Sequence, residues 1–138
     1  MGEAMRVAGI GCRTGVAAGE VLAAVEACSA SFLQGWCGEA DTPRLDALAT
    51  AAFKVDEAGI VAAAKALSIP LIAVPRDDLK RASAGCLTRS DASLAATGVA
   101  SVSEAAALAA AGKGSRLLGP RIATGNVTCA IAQSKDQV

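Results

Sequence analysis

Apolar positions in this chain alternate between short unbroken runs and longer stretches at helical spacing, and that alternation predicts an α/β fold. Arg6 to Gly11 reads as a first strand, and Val16 to Cys28, with Val21, Leu22 and Val25 at helical spacing, reads as a first helix. Glu20 and Glu26 fall on its more polar side. Ser29 to Pro43 is rich in Gly, Ser and charge and predicts a loop. Phe32 and Trp36 within it either plug a gap in the core or flank a ligand, and the plug is the preferred reading.

Leu45 to Thr50 predicts a second strand, Ala51 to Lys54 a connection, and Val55 to Leu67 a second helix with Ile60, Val61, Ala64 and Leu67 on one side. Asp56 and Glu57 then occupy the first turn, where negative charge complements the helix dipole. Ser68-Ile69-Pro70 stops the helix, and the wholly apolar Leu71 to Val74 suits a buried parallel strand. Pro75 to Lys80 predicts a turn and one helical turn. Arg81 to Ala96 reads as a loop, ordered around a ligand or partner or simply connecting.

Ser101 and Glu104 fit the S-x-x-E capping box of a helix that runs to Ala111 and stops at Gly112. Arg116 to Thr124 and Val127 to Ala132, joined by Gly125-Asn126, predict a β-hairpin, with the chain fraying after Gln133. The expectation is therefore one α/β domain over residues 1–138, in three layers, with a mostly parallel sheet and a C-terminal β-hairpin.

Composition narrows the chemistry. Hydrophobic residues make up 53% and aromatic ones 2%, so the core must be built from Ala, Val, Leu and Ile. A formal charge of +0 removes the electrostatic case for nucleic acid, so any anion site must be local. Neither a signal peptide nor an apolar run long enough for a membrane span is visible, and a cytoplasmic protein is expected. The five cysteines include no C-x-x-C pair and the chain has no His, so neither a disulfide framework nor a metal site is expected, and no cofactor is called for. An alanine-rich, weakly charged surface is compatible with a homodimer.

The candidate chemistry begins at Gly9-Ile-Gly11-Cys12-Arg13-Thr-Gly15, a glycine-rich turn between strand and helix. Such a turn lets backbone approach a ligand and favours an anion. The P-loop form fails because Val16 follows Gly15, and the dinucleotide fingerprint is imperfect in spacing. A tight turn without ligand stays open. Arg13 and Lys54 both follow strands and should emerge along one edge of a parallel sheet, beside Thr50. Lys54 precedes a helix, where a cation is disfavoured and a bound anion would relieve the cost. The start of the Ser101, Ser103, Glu104 helix is a second anion-facing end. Cys12 at a helix N-terminus beside Arg13 should have a lowered pKa, although no His can serve as its base.

Four blocks carry a resemblance: Gly9-Ile-Gly-Cys-Arg-Thr-Gly15, Leu48-Ala-Thr-Ala-Ala-Phe-Lys54-Val-Asp-Glu57-Ala-Gly59, Ser101-Val-Ser-Glu-Ala-Ala-Ala-Leu108 and Thr128-Cys-Ala-Ile-Ala132. Together they resemble the CobE family, the stand-alone form of the domain found at the C-terminus of the cobalamin-biosynthesis protein CbiG. The resemblance implies a role in forming the corrin ring in the aerobic branch. Its ligand would be a precorrin or hydrogenobyrinic-acid-type polycarboxylate, with other enzymes of that pathway as partners. The two-domain relatives open a ring-A lactone and release acetaldehyde, which implies a hydrolase as the alternative to a carrier. For that alternative the acid, base or nucleophile would come from Glu57, Glu104, Cys12 or Lys54.

Overall fold

A computed structural model describes residues 5–32, 45–112 and 114–134. The elements are β1 (Arg6–Cys12), α1 (Ala18–Phe32), β2 (Ala47–Ala51), a 3₁₀ turn (Ala52–Lys54), α2 (Ala58–Leu67), β3 (Leu71–Val74), α3 (Arg76–Ser83), α4 (Asp91–Thr97), α5 (Val102–Ala111), β4 (Arg116–Leu117), β5 (Ile122–Thr124) and β6 (Val127–Gln133). The sheet order is β3-β2-β1-β6-β4, with β5 also on β6. β1, β2 and β3 are parallel, and β6 runs antiparallel to β1 and to its partners β4 and β5. The α/β class, the helices on both faces and the C-terminal hairpin follow the sequence reading.

Alternation along the strands divides the core. Ala8, Ile10, Leu48 and Ile131 pack beneath α1 and α2, while Val7, Ala47, Ala49 and Ala51 pack on the opposite face with Ala105 and Ala106 of α5 and Leu79 of α3. Small residues on α5 allow that helix to lie very close to β1. A Cβ on Gly9 would stand 1.9 Å from the Ser103 carbonyl oxygen, and one on Gly11 would stand 2.8 Å from Thr128 Oγ1. These two glycines are strand residues whose missing side chains make room for α5 and for the Thr128 hydroxyl. Of the three in the predicted turn, only Gly15 adopts positive φ, at 87°.

Several boundaries differ from expectation for local reasons. α1 begins at Ala18, two residues later than predicted, and the Glu20 carboxylate reaches back to the Ala17 N–H at 2.8 Å. α2 begins at Ala58, because the chain first makes the 3₁₀ turn, so Asp56 and Glu57 precede the helix instead of lying in its first turn. Ser68 ends α2 in the left-handed region at φ 58°, donating its N–H to Ala64 and Lys65, as the expected stop requires.

The predicted loop at Arg81–Ala96 is helical at both ends and irregular only over residues 84–90. α3 runs on to Ser83, and α4 is started by Ser90, whose side chain accepts from the Ser93 N–H, and ended by Gly98 at φ 77°. The predicted strand from Arg116 to Thr124 is broken between β4 and β5, where the Arg121 N–H turns inward to Glu104. Phe32 ends α1, but the expected plug it forms with Trp36 lies outside the described residues. No helix among the described residues is long and apolar enough to cross a membrane.

Candidate functional site

Strands β1, β2 and β3 end along one edge, and the segments that follow them meet there. The loop after β1 carries Cys12, Arg13, Thr14 and Gly15, the 3₁₀ turn after β2 carries Phe53 and Lys54, and α3 after β3 opens with Arg76. Lys54 bridges the first two: its Nζ donates to Thr14 Oγ1 at 3.2 Å and lies 3.9 Å from Glu57 Oε2. Phe53 joins the third, since the Arg76 guanidinium sits 5.1 Å from its ring centroid. Arg76 also donates to the Thr97 carbonyl at 3.5 Å.

Glu57 changes the reading of the glycine-rich loop. Its Oε1 accepts the Gly15 N–H at 2.7 Å, so the loop donor expected to face a ligand anion is met by a carboxylate of the chain itself. The same carboxylate neutralises Lys54, and the anion that relieves a cation ahead of α2 is therefore internal. Arg13 is exposed, and among the described residues no carboxylate pairs with its guanidinium. Its backbone N–H donates to Asn126 of the hairpin tip at 3.1 Å.

Cys12 ends β1, and α1 begins only at Ala18, so the thiol is not at the N-terminus of the helix that follows it. Burial pushes its thiol above the ordinary value of 9.0; Lys54 pulls it down, but the carboxylates of Glu57 and Glu20 add to the rise. The expected lowering is thus reversed, chiefly by burial of the thiol, with the two carboxylates adding to it.

The remaining sequence candidates lie deeper. Thr50 is fully buried and its hydroxyl donates to the Ile10 carbonyl at 2.8 Å, across the β1–β2 pair. Ser101 and Ser103 are fully buried at the start of α5, with their hydroxyl oxygens 3.4 Å apart. Glu104 is also fully buried, and it does not complete a capping box: Ser101 makes no side-chain cap bond. Instead its Oε1 accepts the Thr88 N–H at 2.8 Å, and its Oε2 accepts Thr88 Oγ1 at 3.0 Å and the Arg121 N–H at 2.9 Å. The carboxylate ties the segment before α4 and the segment before β5 to α5. The S-x-x-E spacing matched a local motif whose acid is used in tertiary structure.

The structure therefore brings together Gly11, Cys12, Arg13, Gly15 and Lys54 at the sheet edge. Gly9, Thr50, Ser101, Ser103 and Glu104 are interior positions. Phe53 and Arg76 are edge residues that the sequence reading did not single out. Phe53 is 46% exposed, and the signal available in the sequence was a phenylalanine next to Lys54 in a chain of only 2% aromatic residues. Among the described residues no cluster of His, Cys, Asp or Glu is placed to hold a metal ion.

A family model described as Cobalamin synthesis G C-terminus matches residues 6–132. The structure is similar to that of CobE, a protein from the cobalamin (vitamin B12) biosynthetic pathway. That pair has 32% identity and a TM-score of 0.82, covering 98% of this chain and 94% of that one. It is also similar to cobalamin biosynthesis protein chiG from Agrobacterium tumefaciens, with 48% identity and a TM-score of 0.73 over 96% of this chain and 100% of the other. A cobalamin biosynthesis protein G homolog from Sulfolobus solfataricus shares the fold at 20% identity and a TM-score of 0.63, over 96% of this chain and 38% of that one. Among curated proteins none matches. The chain belongs to the Cobalamin synthesis G C-terminus family.

Proposed function

We propose that this chain serves cobalamin biosynthesis by holding a polycarboxylate corrinoid intermediate at the edge where β1, β2 and β3 end. The observation that carries the reading is the continuous line Arg13–Thr14···Lys54–Phe53···Arg76, in which three segments each bring one cation to the edge and the Arg76 guanidinium lies over the exposed Phe53 ring. Separate cations suit a ligand with several carboxylates, and a phenyl face suits an extended conjugated ring. The family membership supplies the pathway.

A hydrolase has weaker support in this geometry. Burial disfavours the Cys12 thiolate, and Lys54 and Glu57, the groups left for acid or base work, are paired with each other. The test is a titration of the purified protein with hydrogenobyrinic acid, followed by visible absorbance and by product analysis. Arg13→Ala and Lys54→Ala should each weaken binding about tenfold, the loss of one charge-assisted contact, with the fold intact. Unchanged affinity in both variants would remove the edge from consideration, and a new chromophore or released fragment would replace the carrier with an enzyme.

A further inference from the structure

We propose that the Glu57 carboxylate is a resident counter-anion of this edge, which an incoming ligand carboxylate displaces from Gly15 and Lys54. The inference rests on the binding reading above and adds how the site is kept closed when empty. One oxygen of Glu57 holds the Gly15 N–H at 2.7 Å, and the other faces Lys54 Nζ at 3.9 Å. Those are the donor and the cation that a ligand carboxylate would use. A second negative charge in the same position meets repulsion unless Glu57 leaves.

The structure also offers Glu57 somewhere to go. It is the N-cap residue of α2, a helix of 10 residues, and its side chain makes no cap bond there. A carboxylate that leaves Gly15 from this position stays beside the positive end of its own helix, which offsets part of the lost contact. The side chains of Lys54 and Glu57 are 22% and 15% exposed, so the pair is reachable from solvent yet held. Gly59 packs the α2 start closely against the segment ahead of α1: a Cβ there would approach the Val16 carbonyl oxygen to 2.3 Å.

Glu57→Gln separates charge from geometry. The amide oxygen still accepts the Gly15 N–H, but the negative charge is gone and Lys54 is released. Hydrogenobyrinic acid, and separately the small tricarboxylate citrate, would be titrated against the intact wild type, Glu57→Gln and Glu57→Ala, with the Gly15 amide resonance followed by NMR. Displacement predicts that Glu57→Gln binds about fivefold tighter than wild type, in the range of one exposed ion pair removed from competition. The wild-type Gly15 resonance should move on binding. A purely structural Glu57 predicts unchanged affinity for Glu57→Gln and loss only in Glu57→Ala, which would overturn the displacement while leaving the binding reading intact. Absence of binding by all three proteins to both probes would overturn both.

Discussion

The Cα of Gly9 lies so close to α5 that a Cβ there would stand 1.9 Å from the carbonyl oxygen of Ser103 and 2.7 Å from the Ala107 nitrogen. Both are backbone atoms of a helix fully buried against the sheet at Ala105, Ala106 and Ala107, so neither can yield without moving the whole helix.

Gly9→Ala is therefore expected to destabilise the fold by about 3 kcal/mol or more, at the upper end of overpacking costs. Gly19→Ala, in α1 with nothing within 4 Å of the added atom, is the internal comparison. It should be neutral or stabilising by up to about 1 kcal/mol. Urea denaturation of the two variants beside wild type reads both. Equal midpoints would show that α5 adapts.

Glu104→Gln tests whether that carboxylate is a local cap or a tertiary tie. Loss of a capping contact costs about 1 kcal/mol. Replacing one oxygen by an amide NH₂ that faces the donors of Thr88 or Arg121 should exceed this, at about 2–3 kcal/mol. Hydrogen exchange should quicken at the Thr88 and Arg121 amides, the two segments that the acid holds. Quickening confined to the first turn of α5 would restore the capping box.

Alkaline pH should weaken the fold through Cys86. Burial, with a contribution from the Glu104 charge, pushes this thiol up to about 11 from the ordinary 9.0. Below pH 9 the thiol is neutral in both states. Between 9 and 11 the unfolded chain ionises while the folded one resists, so stability is lost as pH rises through that window. The difference in unfolding free energy between wild type and Cys86→Ala should be flat up to about pH 9 and fall above it. A flat difference throughout would place the thiol in water.

Iodoacetamide should label Cys12 slowly at pH 7 and faster as pH passes 9, because its thiol is raised. Lys54→Ala should slow it further at any given pH, since the one lowering influence is removed while the Glu57 and Glu20 carboxylates stay. Rapid labelling at neutral pH would return Cys12 to consideration as a nucleophile. Cys12→Ser should leave corrinoid binding unchanged.

Phe53→Ala should weaken hydrogenobyrinic acid binding while leaving the small tricarboxylate citrate unaffected, because only the macrocycle has a face to stack. Phe53→Leu should recover part of the loss. An equal effect on both ligands would mean that Phe53 acts by positioning Arg76, whose guanidinium rests over the ring.

What the sequence revealed and what it hid follow a physical division. β1, β2 and β3 were legible because buried strands read as short apolar runs, and Gly112 marked the end of α5 because a C-terminal stop is a local signal. α3 was underestimated because Leu79 is its only fully buried residue and the rest is charged or small. α4 is short, although Ser90 and Gly98 bracketed it in the sequence. At the edge, Arg13 and Lys54 were legible from their place after strands. That Glu57 would reach Gly15, 42 positions away in sequence, was not, because such a contact exists only once β1 and β2 are paired.

The sheet order has a consequence for how the chain is made. β6, the last strand among the described residues, lies between β1 and β4, and it pairs with β1 from Arg6–Gln133 to Cys12–Val127. As the chain leaves the ribosome, β1, β2 and β3 can assemble with α1 and α2, but the other side of β1 stays an open edge until residues 127–133 emerge. Folding therefore waits on contacts between segments far apart in sequence, which makes it slow. During that interval the bare β1 edge, flanked by unburied alanine-rich surface, is the place where nascent chains would pair with one another, so refolding yield should fall steeply with protein concentration.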